Sequence, residues 1–307
     1  MQQVGGSQAM ISAATAPVYE RLAFPAITAL TLVLVWAAPN LLSLNVQLIL
    51  LATLVVLIGL PHGALDPWLA QRSELVRNKT QAVWFNVLYV IVAGFVVLIW
   101  AWLPVASLAI FLSISAWHFS GDWHGEVSLW QRWVAGLMLL LMPIGFHTAQ
   151  VAMLFAQLSG SQAEQLAQAL ALAPWLLVTV MMGLVALASW QRRWFAALEY
   201  FSLLVLAYLV APLLYFALYF CALHSLRHLA GFFRQARAVE RPRLLRITFA
   251  YSAMTVALSG LPWVLWSELP TDTVILRLVF IGLAAVTVPH MMLLAWVRFR
   301  GRGMGEH

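Results

Sequence analysis

AVWFNVLYVIVAGFVVLIWAWL, residues 82–103, runs without one charged side chain. At about 1.5 Å per residue such a run is a helix as long as the hydrocarbon core of a bilayer is thick, roughly 30 Å. Backbone placed in lipid must satisfy its own hydrogen bonds, so the stretch reads as a membrane-spanning α-helix. Comparable apolar stretches flank it at about 22–39 and 45–69, then at 105–121, 131–148, 172–190, 194–211, 212–233, 247–266 and 274–297. The expected fold is all-α, a polytopic transmembrane helix bundle of about ten spans. Pro104 and Pro212 mark tight turns between adjacent spans. Residues 149–171, amphipathic and glutamine-rich, read as an interfacial helix.

Composition agrees with the pattern. Of 307 residues, 63% are hydrophobic and 9% charged, against about 25% charged in soluble domains. About ten crossings leave no room for a separate soluble domain. The expected division is a disordered or surface lead-in at 1–21, a single transmembrane domain at 22–298 and a basic cytoplasmic tail at 299–307. The first twenty residues lack a basic segment followed by an apolar one, so they do not read as a cleaved signal peptide. One cysteine, Cys221, excludes an intrachain disulfide and cysteine-based metal sites.

The net charge of +6 points to topology and not to a nucleic-acid partner. Arg72, Arg77 and Lys79 share one loop; Arg132, then Arg192 and Arg193, then Arg234, Arg237, Arg241, Arg243 and Arg246, and finally Arg298, Arg300 and Arg302 occupy others. With about ten spans and an inside N-terminus all these loops fall on the cytoplasmic face, as the positive-inside rule requires. Glu164, Glu268 and Asp272 lie in the opposite loops, with Arg277 as the nearby cation. Both termini are expected in the cytoplasm, in a multi-pass protein of the cell (inner) membrane.

Ionisable side chains inside spans are rare and mark sites. His62, His118, His224, His228 and His290 all fall in the cytoplasmic half of even-numbered spans, within about 14 Å of the inner end at 1.5 Å per residue. They can share one layer. His124 lies in the loop just beyond it, and His147, at the outer end of its span, is set aside as a ligand. His224 and His228 form H-x-x-x-H, which stacks two imidazoles on one helix face, whether to hold an ion or to pack helices. His62–Asp66 and His118–Asp122 repeat H-x-x-x-D. Each carboxylate is either a partner that orients a ligating imidazole, its own or another, or a helix-end cap. Gly63 and Gly121 are expected to let helices approach closely.

Imidazole donors without thiolates point to Fe, Cu, Zn, Ni or Co. A four-histidine ion with six positions keeps two open, which suits a redox iron; structural zinc is more often closed and tetrahedral. Fifteen tryptophans, sixteen phenylalanines and eleven methionines supply tunnel-wall candidates, among them Trp117, Phe119, Trp123, Phe220, Met291 and Met292. Aromatics also form interfacial belts and pack helices; Trp117 and Phe119 stand out because they flank a candidate ligand. Arg227 projects about 100° from either neighbouring histidine, so it snorkels or pairs with a carboxylate. Glu199 is a second-layer partner or an interfacial acid.

At these residues the sequence resembles the Brp/Blh family of integral-membrane β-carotene 15,15'-dioxygenases, microbial enzymes that make retinal. The matching segments are PHGALDP around His62, WHFSGDW around His118, HSLRH at 224–228 and VPHMML around His290, in a resemblance running from about 45 to 298. Ser120 stands where many relatives have glycine. The resemblance implies a non-haem ferrous iron, Fe(2+), held by four histidines that map onto His62, His118, His224 and His228, which are thereby the catalytic and metal residues. It also implies cleavage of the central double bond of β-carotene by O2 into two all-trans-retinal molecules. Asp66, Asp122, Trp117 and Phe119 are then expected around the ion or in the substrate pocket, and His290 as a partner behind a ligand, a pocket wall or a fifth ligand. A carotenoid drawn from membrane lipid and O2 are the implied partners, and retinal would supply a microbial rhodopsin.

Three other readings compete. A di-iron desaturase or hydroxylase of lipid or carotenoid needs about eight histidines, usually with an H-H pair, and this chain has no such pair. A b-type haem protein would place axial histidines at two depths. A His/Asp proton-relay transporter needs a polar path through the outer half, where the sequence shows none.

Overall fold

Apolar runs of spanning length leave the backbone no partner in lipid but itself. Each of the ten expected stretches is helical in the computed structural model, which describes residues 16–38 and 43–303. In chain order the helices are α1 (Val18–Ala37), α2 (Leu44–Arg72), α3 (Lys79–Trp102), α4 (Pro104–Trp123), α5 (Leu129–Phe146), α6 (Thr148–Ser159), α7 (Ala163–Leu170), α8 (Pro174–Trp190), α9 (Trp194–Leu209), α10 (Pro212–Gln235), α11 (Ala238–Leu265) and α12 (Thr271–Gly303). No strand occurs among the described residues. The protein is an all-α polytopic helix bundle.

Eight of these helices, α1 to α5 and α10 to α12, are long and apolar enough to cross a membrane, and α7 with α8, bent by 58°, would make a ninth. The remaining expected span, α9, is apolar but has only 16 residues. Helix α1 begins at Val18, inside the expected lead-in, and α12 continues to Gly303. The lead-in before residue 16 and the tail after 303 lie outside the described residues. The expected interfacial helix at 149–171 is instead two helices, broken at Gly160. There φ is 88°, a left-handed conformation that glycine adopts without steric cost.

Two of the arginine-rich loops meet on one face. Arg243 donates to Gln71 Oε1 at 2.6 Å, and Arg72 lies 3.8 Å from Glu240, so the α2–α3 and α10–α11 loops are neighbours. Arg234 pairs with Glu20, and Arg21 with the buried Glu126, which brings in the start of α1 and the α4–α5 loop. Apolar side chains of α2, α5, α8, α9 and α10 form the main core. By contrast α3 and α11 turn large apolar side chains outward, Trp84 and Leu88 on one and Phe249, Val264 and Leu265 on the other. In a membrane protein such surface faces lipid.

Two close approaches hold the core around the site. A Cβ at Gly59 would lie 2.8 Å from the Phe220 ring, and one at Gly136 only 2.4 Å from the Ala116 carbonyl oxygen. Glycine is required at these contacts between α2 and α10 and between α4 and α5. Gly63 and Gly121 do not play the part expected of them, because each faces open space where a Cβ would meet nothing within 4 Å.

Candidate metal centre

Helix α2 approaches the site through a π-helical turn, Val55–Gly59. Pro61 follows, and a proline ring removes a helix donor and crowds the carbonyl four residues back. The widened turn accommodates this, and His62 Nδ1 donates to the Gly59 carbonyl. That bond fixes the imidazole tautomer and leaves Nε2 with its lone pair. After Gly63 the helix breaks into a turn at Ala64 and Leu65 before resuming at Asp66.

Helix α4 carries His118 on its last α-helical turn and then tightens into the 3-10 turn Ser120–Trp123. Opposite it, α10 has a π-helical stretch, Leu218–Ser225, that includes His224. Extra residues of this kind inside helices are frequent at functional sites. His224 Nδ1 donates to Asp122 Oδ1 at 2.8 Å, and the Tyr219 hydroxyl donates to Asp122 Oδ2 at 2.6 Å. His228 Nε2 lies 3.4 Å from the same Asp122 Oδ1. On the far side Asp66 Oδ1 accepts from His290 Nδ1 at 2.7 Å, and the Tyr89 hydroxyl lies 3.0 Å from Asp66 Oδ2.

With their Nδ1 atoms engaged, His62, His224 and His290 have Nε2 left for a ligand. His118 Nε2 and His224 Nε2 face each other at 3.1 Å. Two neutral imidazole nitrogens cannot both present lone pairs at this distance without a proton or a cation between them. An ion about 2.0–2.1 Å from each nitrogen fits the separation. Asp122, His224 and His228 also form a group whose ligand atoms lie within 4.8 Å of one another, able to hold a metal ion. The Asp122 bond goes to Nδ1 of His224, the nitrogen pointing away from His118, so the carboxylate orients this imidazole from behind.

A second buried layer supports the first. Arg227 donates to the Asp122 backbone carbonyl at 2.9 Å and pairs with Glu199, which also accepts from Trp123 Nε1 at 2.9 Å. Glu199 is fully buried. Of the two alternatives for each residue, Arg227 takes the carboxylate pair and Glu199 the second-layer role. Neither charge is left alone in the interior, where an unpaired one would be strongly destabilising.

From the imidazoles a cavity of about 940 Å³ runs between α2, α3, α4, α10, α11 and α12 toward Trp266 and Arg277. Its walls are overwhelmingly apolar. Along α12 they extend from Ile275 to His290, about 22 Å at 1.5 Å per residue. His62, His118, His290, Phe119 and Phe220 line the inner end. Trp117 does not, contrary to expectation: it is 41% exposed, because one residue's 100° rotation from His118 carries it to the outer surface of α4. Trp123 lies behind the site against Glu199, and Met292 is 55% exposed. His147 bonds the Ala207 carbonyl through Nε2 at 3.0 Å, away from the cluster. Tyr89, Tyr219 and Gly59 were missed by sequence reading; a tyrosine within an apolar span is the one weak signal for the first two.

The family model described as beta-carotene 15,15'-dioxygenase matches residues 53–298. A beta-carotene 15,15'-dioxygenase of the uncultured marine bacterium 66A03 is 31% identical over 255 residues, covering 80% of this chain and 91% of the relative. A probable beta-carotene 15,15'-dioxygenase, Blh, of Halobacterium salinarum is 27% identical over 287 residues, covering 79% of this chain and 81% of the relative. No solved structure matches the chain.

Proposed function

The chain belongs to the beta-carotene 15,15'-dioxygenase family, and from that premise we propose that it cleaves the central 15,15' double bond of β-carotene with O2 to give two all-trans-retinal molecules. The observation that carries this reading is the cluster of imidazoles at the inner end of a long apolar cavity walled by lipid-facing helices. A carotenoid is long, rigid and insoluble in water. Entry from the bilayer past α3 and α11 spares it any passage through solvent.

The donor set suits ferrous iron: neutral nitrogen donors with no thiolate, their rings fixed by Gly59 and Asp122. His62, His118, His224 and His228 would hold the ion, as the family resemblance implies. When bound, ferrous iron supplies the redox chemistry that allows O2 to react with a polyene. The protein's own groups do the rest. Phe119 and Phe220 lie beside the imidazoles and would position the double bond, and the apolar walls exclude water from the reacting carbons. The carbon–carbon double bond breaks and each carbon takes one oxygen atom of O2, so no external reductant is needed. Released retinal would pass to a microbial rhodopsin in the same cell membrane.

A proton-relay transporter is disfavoured by the same cavity, which continues from the histidines through apolar side chains with Arg277 at its far end. Expression in a β-carotene-producing host should bleach the orange colour and yield retinal, identified by chromatography. Pigment that persists in cells making iron-loaded protein would overturn the carotenoid assignment.

A further inference from the structure

His290 lies outside the four ligands proposed above, yet its surroundings match those of His224. Each is buried, each donates through Nδ1 to an aspartate of another helix, and each of those aspartates has a tyrosine hydroxyl on its second oxygen. Such a carboxylate behind an imidazole is the usual support of a metal-bound histidine. His290 is thus a third buried imidazole with its Nδ1 engaged, besides His62 and His224.

The ring positions point the same way. His62, His224, His118 and His290 form a closed circuit, with successive ring centroids 5.3, 4.7, 5.5 and 5.8 Å apart. Successive planes cross at 87°, 69°, 90° and 86°. Imidazole nitrogens bind an ion at about 2.0–2.1 Å, which places ring centres roughly 3 Å from it and neighbouring ones about 4.5–5.5 Å apart. Three sides of the circuit meet that spacing and the fourth exceeds it slightly. His228 is close to His224, at 4.6 Å, but 6.3 and 6.5 Å from His62 and His118. His290 is therefore nearer than His228 to both of those rings.

We propose that His290 is a ligand of the metal, held by Asp66 as His224 is held by Asp122, so that the ion lies within a circuit of four imidazoles from α2, α4, α10 and α12 with His228 at its edge. This rests on the metal reading above. It also gives the repeated H-x-x-x-D pattern one meaning, in which each aspartate supports a ligand from a distant span. With His228 kept as a fifth ligand, an ion with six positions would still keep one open.

The test compares wild type, His290→Ala, His290→Gly, Asp66→Asn and His147→Ala in the purified full chain. Three quantities are read: iron per chain, apparent affinity against a competing chelator, and the number of imidazole nitrogens in the iron X-ray absorption spectrum. Wild type and His147→Ala should bind about one iron. His290→Ala should bind at least about tenfold more weakly with one imidazole fewer, and Asp66→Asn about tenfold more weakly. Added imidazole should restore affinity to His290→Gly. If the two His290 variants do not fold, Asp66→Asn alone decides. Affinity within twofold of wild type and an unchanged spectrum would overturn the proposal while leaving the metal reading intact. Wild-type protein that takes up no iron would overturn both.

Discussion

Asp122 and Asp66 hold imidazoles in the same way but stand in different surroundings. Asp122 contacts His224, His228 and Tyr219 on one helix, and its own backbone is gripped by Arg227, which is paired with Glu199. All of these except His228, which is 24% exposed, are buried. Asp66 touches His290 on α12 and Tyr89 on α3, and all three residues line the cavity. One half of the site is an anchored interior network, whereas the other is the wall along which a substrate would lie. The same sequence device thus serves rigidity on one side and the substrate path on the other.

Neither aspartate serves the histidine four residues before it, and the helices themselves explain why. An ideal α-helix stacks positions four apart. After His62 the helix breaks at Ala64 and Leu65, and after His118 it tightens to a 3-10 turn in which position i+4 is about 120° off the face of i. Both carboxylates are thereby turned toward other helices.

The largest effect expected from substitution is at His224, which faces His118 and is backed by Asp122. His224→Ala should bring iron per chain to near zero, while His147→Ala leaves it unchanged; equal loss in both would show that the cluster is not the metal site. Next come the aspartates. Removing a partner behind a ligand typically costs 10- to 100-fold in affinity, and Asp122→Asn should fall near the top of that range and Asp66→Asn near the bottom. Chelator competition measures both, and equal losses would make the two halves equivalent. The smallest effects belong to the tyrosines, since one hydrogen bond is worth about 0.5–1.5 kcal/mol and more when its acceptor is charged. Tyr219→Phe, which removes the shorter and fully buried bond, should weaken binding more than Tyr89→Phe; the reverse order would contradict the contrast drawn between the two sides.

Much of this architecture is legible in the chain. The ten helical stretches follow from runs such as 82–103, and the loops bearing Arg72 and Arg243 lie together as their charge pattern requires. The histidines of α2, α4, α10 and α12 also meet at one depth. Depth along a helix is a matter of counting residues, so it survives small irregularities. Facing does not, and Trp117, Gly63 and Gly121 were misjudged for that reason. Each flanks a functional residue in sequence but is rotated away from its partners in space.

By itself, then, the sequence determined the lipid environment, the places of the helices and the shared level of the imidazoles. Hydropathy and charge act locally and add along the chain, which is enough for these properties. Tertiary structure alone decided which carboxylate supports which imidazole, that Glu199 and Arg227 lock the layer behind Asp122, and that His290 stands beside His62 and His118. These depend on how each helix is rotated about its axis. That rotation is set by π turns at Val55–Gly59 and Leu218–Ser225, by the break after His62 and by close packing at Gly59 and Gly136. One extra residue in a helix redirects the side chains after it by about 100°, and only the packed bundle specifies where such changes occur.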